Sequence, residues 1–381
     1  MSSTRTYLDH NATAPLRPEA RAAMLDALDA VGNPSSVHAE GRKARAIVEE
    51  ARERVADLLG VAPSQVVFTS GATEANCSVL RAGWGSILVS GIEHESVLAP
   101  ARANGCDVIE IATDASGAVR VDAIAAALRK ASARNGGPAL LALQVANNET
   151  GVVQPVAAAA ALAREWGDVI LHTDAVQAAG RIPLMFDELG VDTLSLSAHK
   201  LGGPKGVGAL ILKDGLDIAP LVIGGGQERR RRAGTENVIG IAGFGAAASA
   251  AKQDLADMSR IAELRGRLER EALELAPGAR VIGAEAPRLP NTTCLALPGM
   301  AAETLVIRFD LAGIAISAGA ACSSGKVGAS TVLAAMGLPD EVARSAIRVS
   351  LGWTTTEQDI AAFLAAWSAI AGSQQQHRAV A

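Results

Sequence analysis

Apolar positions fall into two alternating patterns between about residue 16 and residue 250. In "PEARAAMLDALDAV" and "GRKARAIVEEARERVADLLG" they recur with the spacing of one helix face. Between such stretches stand short apolar runs: "QVVFTS", "GSILVSG", "ALLALQVA", "DVILHTDA", "TLSLSA" and "GALILK". Runs this short and this apolar are strands covered on both faces. Helix and buried strand in alternation predict an α/β fold with a mostly parallel sheet. Several of the strands end in polar residues with chemistry of their own.

Past residue 250 the pattern changes. "SRIAELRGRLEREALELA" is a long amphipathic helix, and "NTTCLALPG", "IAISAG" and "AIRVSLG" are short strands mixed with helices, as in a smaller α+β lobe. The expected division is a large α/β domain over 16–252 and a small α+β domain built from 1–15 and 253–381. No Pro/Ser-rich linker or low-complexity tract marks the join, and no internal repeat is visible. The end, "GSQQQHRAVA", is expected to fray.

Composition narrows the function. With 381 residues, 49% of them apolar, the chain can bury a large core and a second one. A formal net charge of -5 gives no general attraction to nucleic acid or anionic membranes, so small partners are expected. The basic run "ERRRRAG" at 228–234 lacks interleaved aromatic residues. It reads better as a solvated loop near an anion or as a subunit contact than as a nucleic-acid stripe. Cys77, Cys106, Cys294 and Cys322 form no CxxC pair, which argues against structural zinc and against a disulfide framework. The start lacks the apolar core of a signal peptide, and charge interrupts the Ala-rich stretches short of a spanning length. The expected location is the cytoplasm, away from membranes.

Candidate chemistry clusters at the strand ends. "VVFTSGATEANCSVL" passes from a strand through Gly71 into a helix beginning near Thr73. Free N–H groups there make either a phosphate cradle or an ordinary capped turn. Asp174 ends the strand in "LHTDAVQAAG", where a buried carboxylate needs a cation or hydrogen bonds. Lys200 follows another strand in "LSLSAHKLGGPKG", flanked by Ser197 and His199. Lysine forms Schiff bases with carbonyl cofactors, and a carboxylate opposite a pyridine nitrogen is its usual companion. Taken singly, Asp174 also suits a strand-end salt bridge and Lys200 a solvated surface. In "ISAGAACSSGK", Cys322 is by itself either a reactive thiol or a small apolar filler.

Taken together and in order, "LDHNATAP", "GNPSS", "FTSGATEAN", "EHESV", "NNETGVVQP", "HTDAVQ", "SAHKLGGPKGVGAL", "GGGQERRRRAGTEN", "SAGAACSSG" and "AIRVSLG" resemble the segments of pyridoxal-phosphate-dependent cysteine desulfurases. These enzymes form part of the class V branch of the fold-type I aminotransferases. The resemblance runs from Tyr7 into the last helix and implies a mostly parallel seven-stranded sheet in the large domain.

It also implies pyridoxal 5'-phosphate as cofactor. Lys200 would carry it as a Schiff base, and Asp174 would keep the pyridine nitrogen protonated. His94 in "EHESV" would stack on the ring and take part in proton transfer. Ala72, Thr73, Ser197 and His199 would hold the phosphate. Thr235 in "AGTEN" would join them from the neighbouring subunit, which implies a homodimer. Asn148 and Gln177 would touch the ring hydroxyl. Asn33 in "GNPSS" and Arg348 in "AIRVSLG" would hold the substrate carboxylate, a role that suits a planar guanidinium. For Arg348 the other reading is a structural ion pair.

The implied activity is removal of sulfur from L-cysteine. The Cys322 thiolate would take the substrate sulfur as a persulfide and release L-alanine, and the sulfur would pass to an acceptor protein such as an iron–sulfur scaffold. Selenocysteine lyases and other class V lyases or aminotransferases share the Lys200 and Asp174 chemistry, so Cys322 and its surroundings separate the alternatives. Relatives commonly carry "SSGSAC" where this chain has "SAGAAC", which removes hydroxyls near the thiol and keeps the nucleophile.

Overall fold

The computed structural model describes residues 5–132, 137–319 and 330–380. Its strands in chain order are β1 (Thr6–Tyr7), β2 (Val66–Thr69), β3 (Ser86–Ser90), β4 (Asp107–Ile111), β5 (Ala139–Ala142), β6 (Val169–Asp174) and β7 (Thr193–Ser197). They continue with β8 (Gly208–Leu212), β9 (Arg280–Ile282), β10 (Thr292–Ala296), β11 (Ile314–Ala315), β12 (Ser317–Ala318) and β13 (Ala346–Ser350). One sheet has seven strands in the order β2-β8-β7-β6-β5-β3-β4. From β7 to β4 all neighbours are parallel, while β8 and β2 are added antiparallel at one side. This is the mostly parallel α/β sheet that the alternation of runs predicts. The strand not marked by a continuous apolar run is β4, an edge strand that alternates exposed positions with buried Ile109 and Ile111.

Successive side chains of a strand point to opposite faces, and both faces of this sheet are covered. Leu88, Leu141, Leu171 and Leu194 pack into the largest core. Ile87, Val89, Leu140 and Ala142 pack on the other side with Val79, Leu80, Val97 and Leu98. The helix Val238–Asp254 is apolar and small-residue-rich almost all round, and it lies close against the helix Ala39–Leu59. A Cβ added at Gly245 would stand 2.6 Å from the Ala51 Cα, so this approach depends on glycine.

A second core belongs to the four-stranded antiparallel sheet β12-β13-β10-β9, with β1 and β11 paired alongside as a parallel two-stranded sheet. The helix Met258–Leu275 matches its amphipathic pattern and buries Ile261, Leu264, Leu268 and Ala272 there. Phe309, Phe363 and Trp367 stack in the same core, joined by Leu8 from the start of the chain. The Trp367 indole satisfies its N–H by donating to the Ala272 carbonyl at 2.9 Å. The last helix, Glu357–Val380, continues through the segment expected to fray. After Gly372 nothing in "SQQQHRAV" breaks a helix, since it contains neither proline nor glycine. No helix among the described residues is long and apolar enough to cross a membrane.

Candidate active site

Open parallel sheets hold ligands beyond the carboxyl ends of their strands, and here those ends carry the chemistry. β6 ends at Asp174, and β7 ends at Ser197 and enters the turn Ala198–Lys200. β2 passes through Ser70 and Gly71 into the helix Ala72–Leu80, and β3 leads to His94. β5 leads towards Gln144 and Asn148. Together they wall a cavity of about 610 Å³ lined by Ala72, Thr73, His94, Asn148, Asp174, Gln177, Ser197, His199 and Lys200, among others. One wall is therefore built from residues far apart in sequence.

The first N–H groups of the helix Ala72–Leu80 have no acceptor within the helix, which makes its start a natural anion seat. Lys205 and His199 line the cavity too. Burial, followed by the charges of Lys200, Lys205 and Arg181, pushes His199 down to about 4, so its ring is neutral at pH 7. His199 Nδ1 lies 3.2 Å from Thr13 Oγ1. The Lys200 ammonium donates to the carbonyls of Asn11 at 2.5 Å and Ala12 at 2.8 Å.

Asp174 is buried and hydrogen-bonded. Its Oδ2 accepts from Asn76 Nδ2 and its Oδ1 from the Val176 N–H, each at 2.9 Å. His94 caps the helix Glu95–Arg102, with Nδ1 accepting from the Ser96 N–H at 3.0 Å. Gln177 donates to the Asn11 carbonyl at 3.1 Å and accepts from Arg181. Asn148 presents its carbonyl to Asn11 Nδ2 at 3.1 Å.

Three of the residues singled out from sequence are not on this wall. Asn33 is exposed and accepts from the Ser35 N–H at 2.9 Å. Thr235 is exposed as well. Their chain neighbours Pro34, Ser35 and Glu236 line a different cavity, of about 650 Å³. Arg348 is buried on β13 in an ion pair with Asp9 at 2.8 Å, and it meets the main cavity through the Asn148 carbonyl, to which it donates at 3.2 Å. Cys322 lies outside the described residues. The residues that flank its segment, Gly319 and Ser330, both stand against Glu149. Ser330 Oγ donates to Glu149 at 2.6 Å. Burial pushes the Glu149 carboxyl up to about 7, opposed by the Ser330 bond and by the charge of Arg348.

Four polar residues lie inside the quoted motifs without a role given to them: Ser96, which also lines the cavity, and Asn76, His172 and Glu93 behind it. Glu93 is buried, and desolvation pushes it up to about 8 against donors from Gln144 and Ser90. His172 had a signal, because it stands two residues before Asp174 on one strand and so shares its face. The arginine run is partly engaged. Arg232 pairs with Glu74 at 3.0 Å and Arg231 donates to the Ser64 carbonyl at 3.1 Å, tying the loop to the anion-seat helix and its surroundings. Among the described residues no group of three or more His, Cys, Asp or Glu could hold a metal ion.

Comparison with known families matches residues 6–363 to the family described as aminotransferase class-V. The chain belongs to that family. A curated relative of this class V aminotransferase, a cysteine desulfurase of Cereibacter sphaeroides, is 44% identical over 93% of this chain and 92% of its own length. Among solved structures, the NifS-like protein from Rickettsia africae superposes with a TM-score of 0.89 at 35% identity, covering 96% of this chain and 99% of that one. SspA, solved in complex with cysteine, superposes with a TM-score of 0.77 at 31% identity, covering 91% and 99% respectively.

Proposed function

We propose that this class V aminotransferase is a pyridoxal-phosphate-dependent cysteine desulfurase, which converts L-cysteine to L-alanine and hands the sulfur to an acceptor protein such as an iron–sulfur scaffold. One observation carries the reading: a lysine amine, a buried carboxylate and an imidazole share a cavity with the amide-rich start of a helix. A cavity of about 610 Å³ has the size of a cofactor site. The donor set fits the cofactor as well. The helix start with Thr73 and Ser197 suits a phosphate, Lys200 suits an aldehyde, and Asp174 suits a protonated pyridine nitrogen. Each Asp174 oxygen takes one protein N–H and retains a further acceptor position.

When bound, the cofactor supplies an electron sink for charge developing at the substrate α-carbon. Lys200 would hold the cofactor, and its free amine would move the proton at the substrate α-carbon. Arg348, held by Asp9 and by the carbonyl of Asn148 at the cavity, orients the substrate carboxylate. The Cys322 thiolate attacks the substrate sulfur. An S–S bond forms as the Cβ–S bond breaks, leaving a persulfide on Cys322, and the carbon skeleton, with its protons restored, leaves as alanine. Support for the substrate comes from the relative named cysteine desulfurase and from the neighbour solved with cysteine.

Incubation with L-cysteine and a reductant should yield alanine and sulfide in equal amounts. Lys200→Ala should lose the yellow colour of the lysine-bound cofactor together with turnover. Cys322→Ala should keep the colour and form no alanine. Alanine production retained in Cys322→Ala would sink the persulfide route, and no alanine from the wild type would sink the desulfurase reading.

A further inference from the structure

Hydrogen bonds run from Asp174 through Asn76 and Ser96 to His94, and their directions are fixed by chemistry. An ionised carboxylate only accepts, so the amide of fully buried Asn76 must turn Nδ2 towards Asp174. The second hydrogen on Nδ2 goes to Ser96 Oγ at 2.9 Å. The other end of the amide, Oδ1, accepts from Ser195 Oγ at 2.6 Å and from His172 Nε2 at 2.9 Å. His172 is thereby protonated at Nε2, and its Nδ1 takes the Thr193 hydroxyl hydrogen at 2.8 Å. Its burial, which pushes it down to about 3, keeps it neutral in that arrangement.

Ser96 is the turning point. Its oxygen already accepts from Asn76, so its own hydrogen is available for His94 Nδ1, 2.8 Å away. The Ser96 backbone N–H meets the same nitrogen at 3.0 Å. Two donors converge on one ring nitrogen, which must therefore offer its lone pair, and the proton of the neutral imidazole sits on Nε2.

We propose that Asn76 and Ser96 are positioning residues: the acceptor-only Asp174 sets the direction of the Asn76 amide, the amide sets that of the Ser96 hydroxyl, and the hydroxyl holds the His94 imidazole as its Nε2–H tautomer. A second proton arriving at the ring has to enter at Nδ1, where it would turn the Ser96 hydroxyl away and set one N–H against another. His94 thus faces its reaction as an N–H donor. That catalytic meaning rests on the reading of Asp174 and His94 as cofactor-facing residues, whereas the chain of bonds does not.

The test uses the full-length holoenzyme labelled with ¹⁵N-histidine, with His94 assigned by the signal lost in His94→Gln. Long-range ¹H–¹⁵N correlation should give an Nε2-protonated pattern for His94 in the wild type. Ser96→Ala should shift the tautomer ratio about fivefold towards Nδ1–H, the worth of one ordinary hydrogen bond. Ser96→Thr, which keeps the hydroxyl, should restore the wild-type pattern. Asp174→Asn, a same-shape change that removes the charge, should move the same signals and serves if Ser96→Ala fails to fold. An Nδ1-protonated wild type, or a His94 pattern unmoved by either Ser96→Ala or Asp174→Asn, overturns the proposal. Failure to form alanine from L-cysteine would instead remove the functional reading and leave these nitrogen signals as they are.

Discussion

Gly208 has no side chain because there is no room for one: an added Cβ would stand 2.6 Å from the Gly71 carbonyl carbon and 2.6 Å from the Leu196 oxygen. The contact presses the start of β8 against the turn that opens the helix Ala72–Leu80. Gly208→Ala should push that turn aside at a cost of about 1–3 kcal/mol. On the proposed function, a seat displaced to that extent should hold pyridoxal phosphate about tenfold more weakly, as equilibrium dialysis would measure. Unchanged cofactor affinity together with an unchanged unfolding midpoint would refute the tight contact. Single residues were unevenly legible in sequence. Asp174 and Lys200 are marked only jointly, since singly a strand-end salt bridge and a solvated surface suit them as well. Asn76 and Ser96 are not marked, since amides and hydroxyls are ordinary on helices and the Asn76 partner Asp174 lies 98 residues further along the chain.

At the scale of an element, the loop that carries the arginine run is held by the residue in front of it. Glu228, Arg229 and Arg230 have φ of 44°, 56° and 67°, a left-handed run of three residues with side chains. Each such residue costs on the order of 1–3 kcal/mol, so something must over-determine the shape. Glu228 does so by accepting from Arg52 through two bonds of 2.8 Å and from the Phe68 N–H at 2.9 Å, while the Arg52 guanidinium lies over the Phe68 ring. Glu228→Gln should leave the buried Arg52 charge with only the half-exposed Glu49 carboxylate at 3.2 Å and cost about 3 kcal/mol, read as a lower urea midpoint. It should also speed proteolysis within 224–237, and a variant equal to the wild type in both would refute the anchor. Sequence displayed the four arginines but not their anchor, because a glutamate is ordinarily exposed. For the same kind of reason β4 was overlooked: with one face open at the sheet edge, its pattern is not a continuous apolar run.

Across the whole molecule, the two sheets and their helices follow from hydrophobic periodicity, whereas the protonation of buried groups depends on segments that only the fold brings together. His10, near the start of the chain, is packed so tightly by Gly352 that a Cβ added there would stand 1.9 Å from its Nδ1. Burial pushes His10 and His172 down to about 3 and His199 down to about 4. In the unfolded chain these rings gain protons as pH falls below about 6.5, while the folded rings stay neutral, so their contribution to stability is lost on acidification. Burial pushes Glu93 up to about 8 and Glu149 up to about 7. These carboxyls keep their protons in the folded state after the unfolded chain has lost them. Their contribution is therefore present below the ordinary carboxylate range and lost as pH rises through about 7 to 8. The opposed slopes place the stability maximum set by these groups near about pH 6. Glu93→Gln, which mimics the protonated carboxyl, should gain on the wild type by up to about 1.4 kcal/mol per pH unit between about pH 4.5 and 8. Urea midpoints measured across that range check this, and a difference between the two proteins that stays constant with pH would show that Glu93 does not titrate in the folded state as its burial requires.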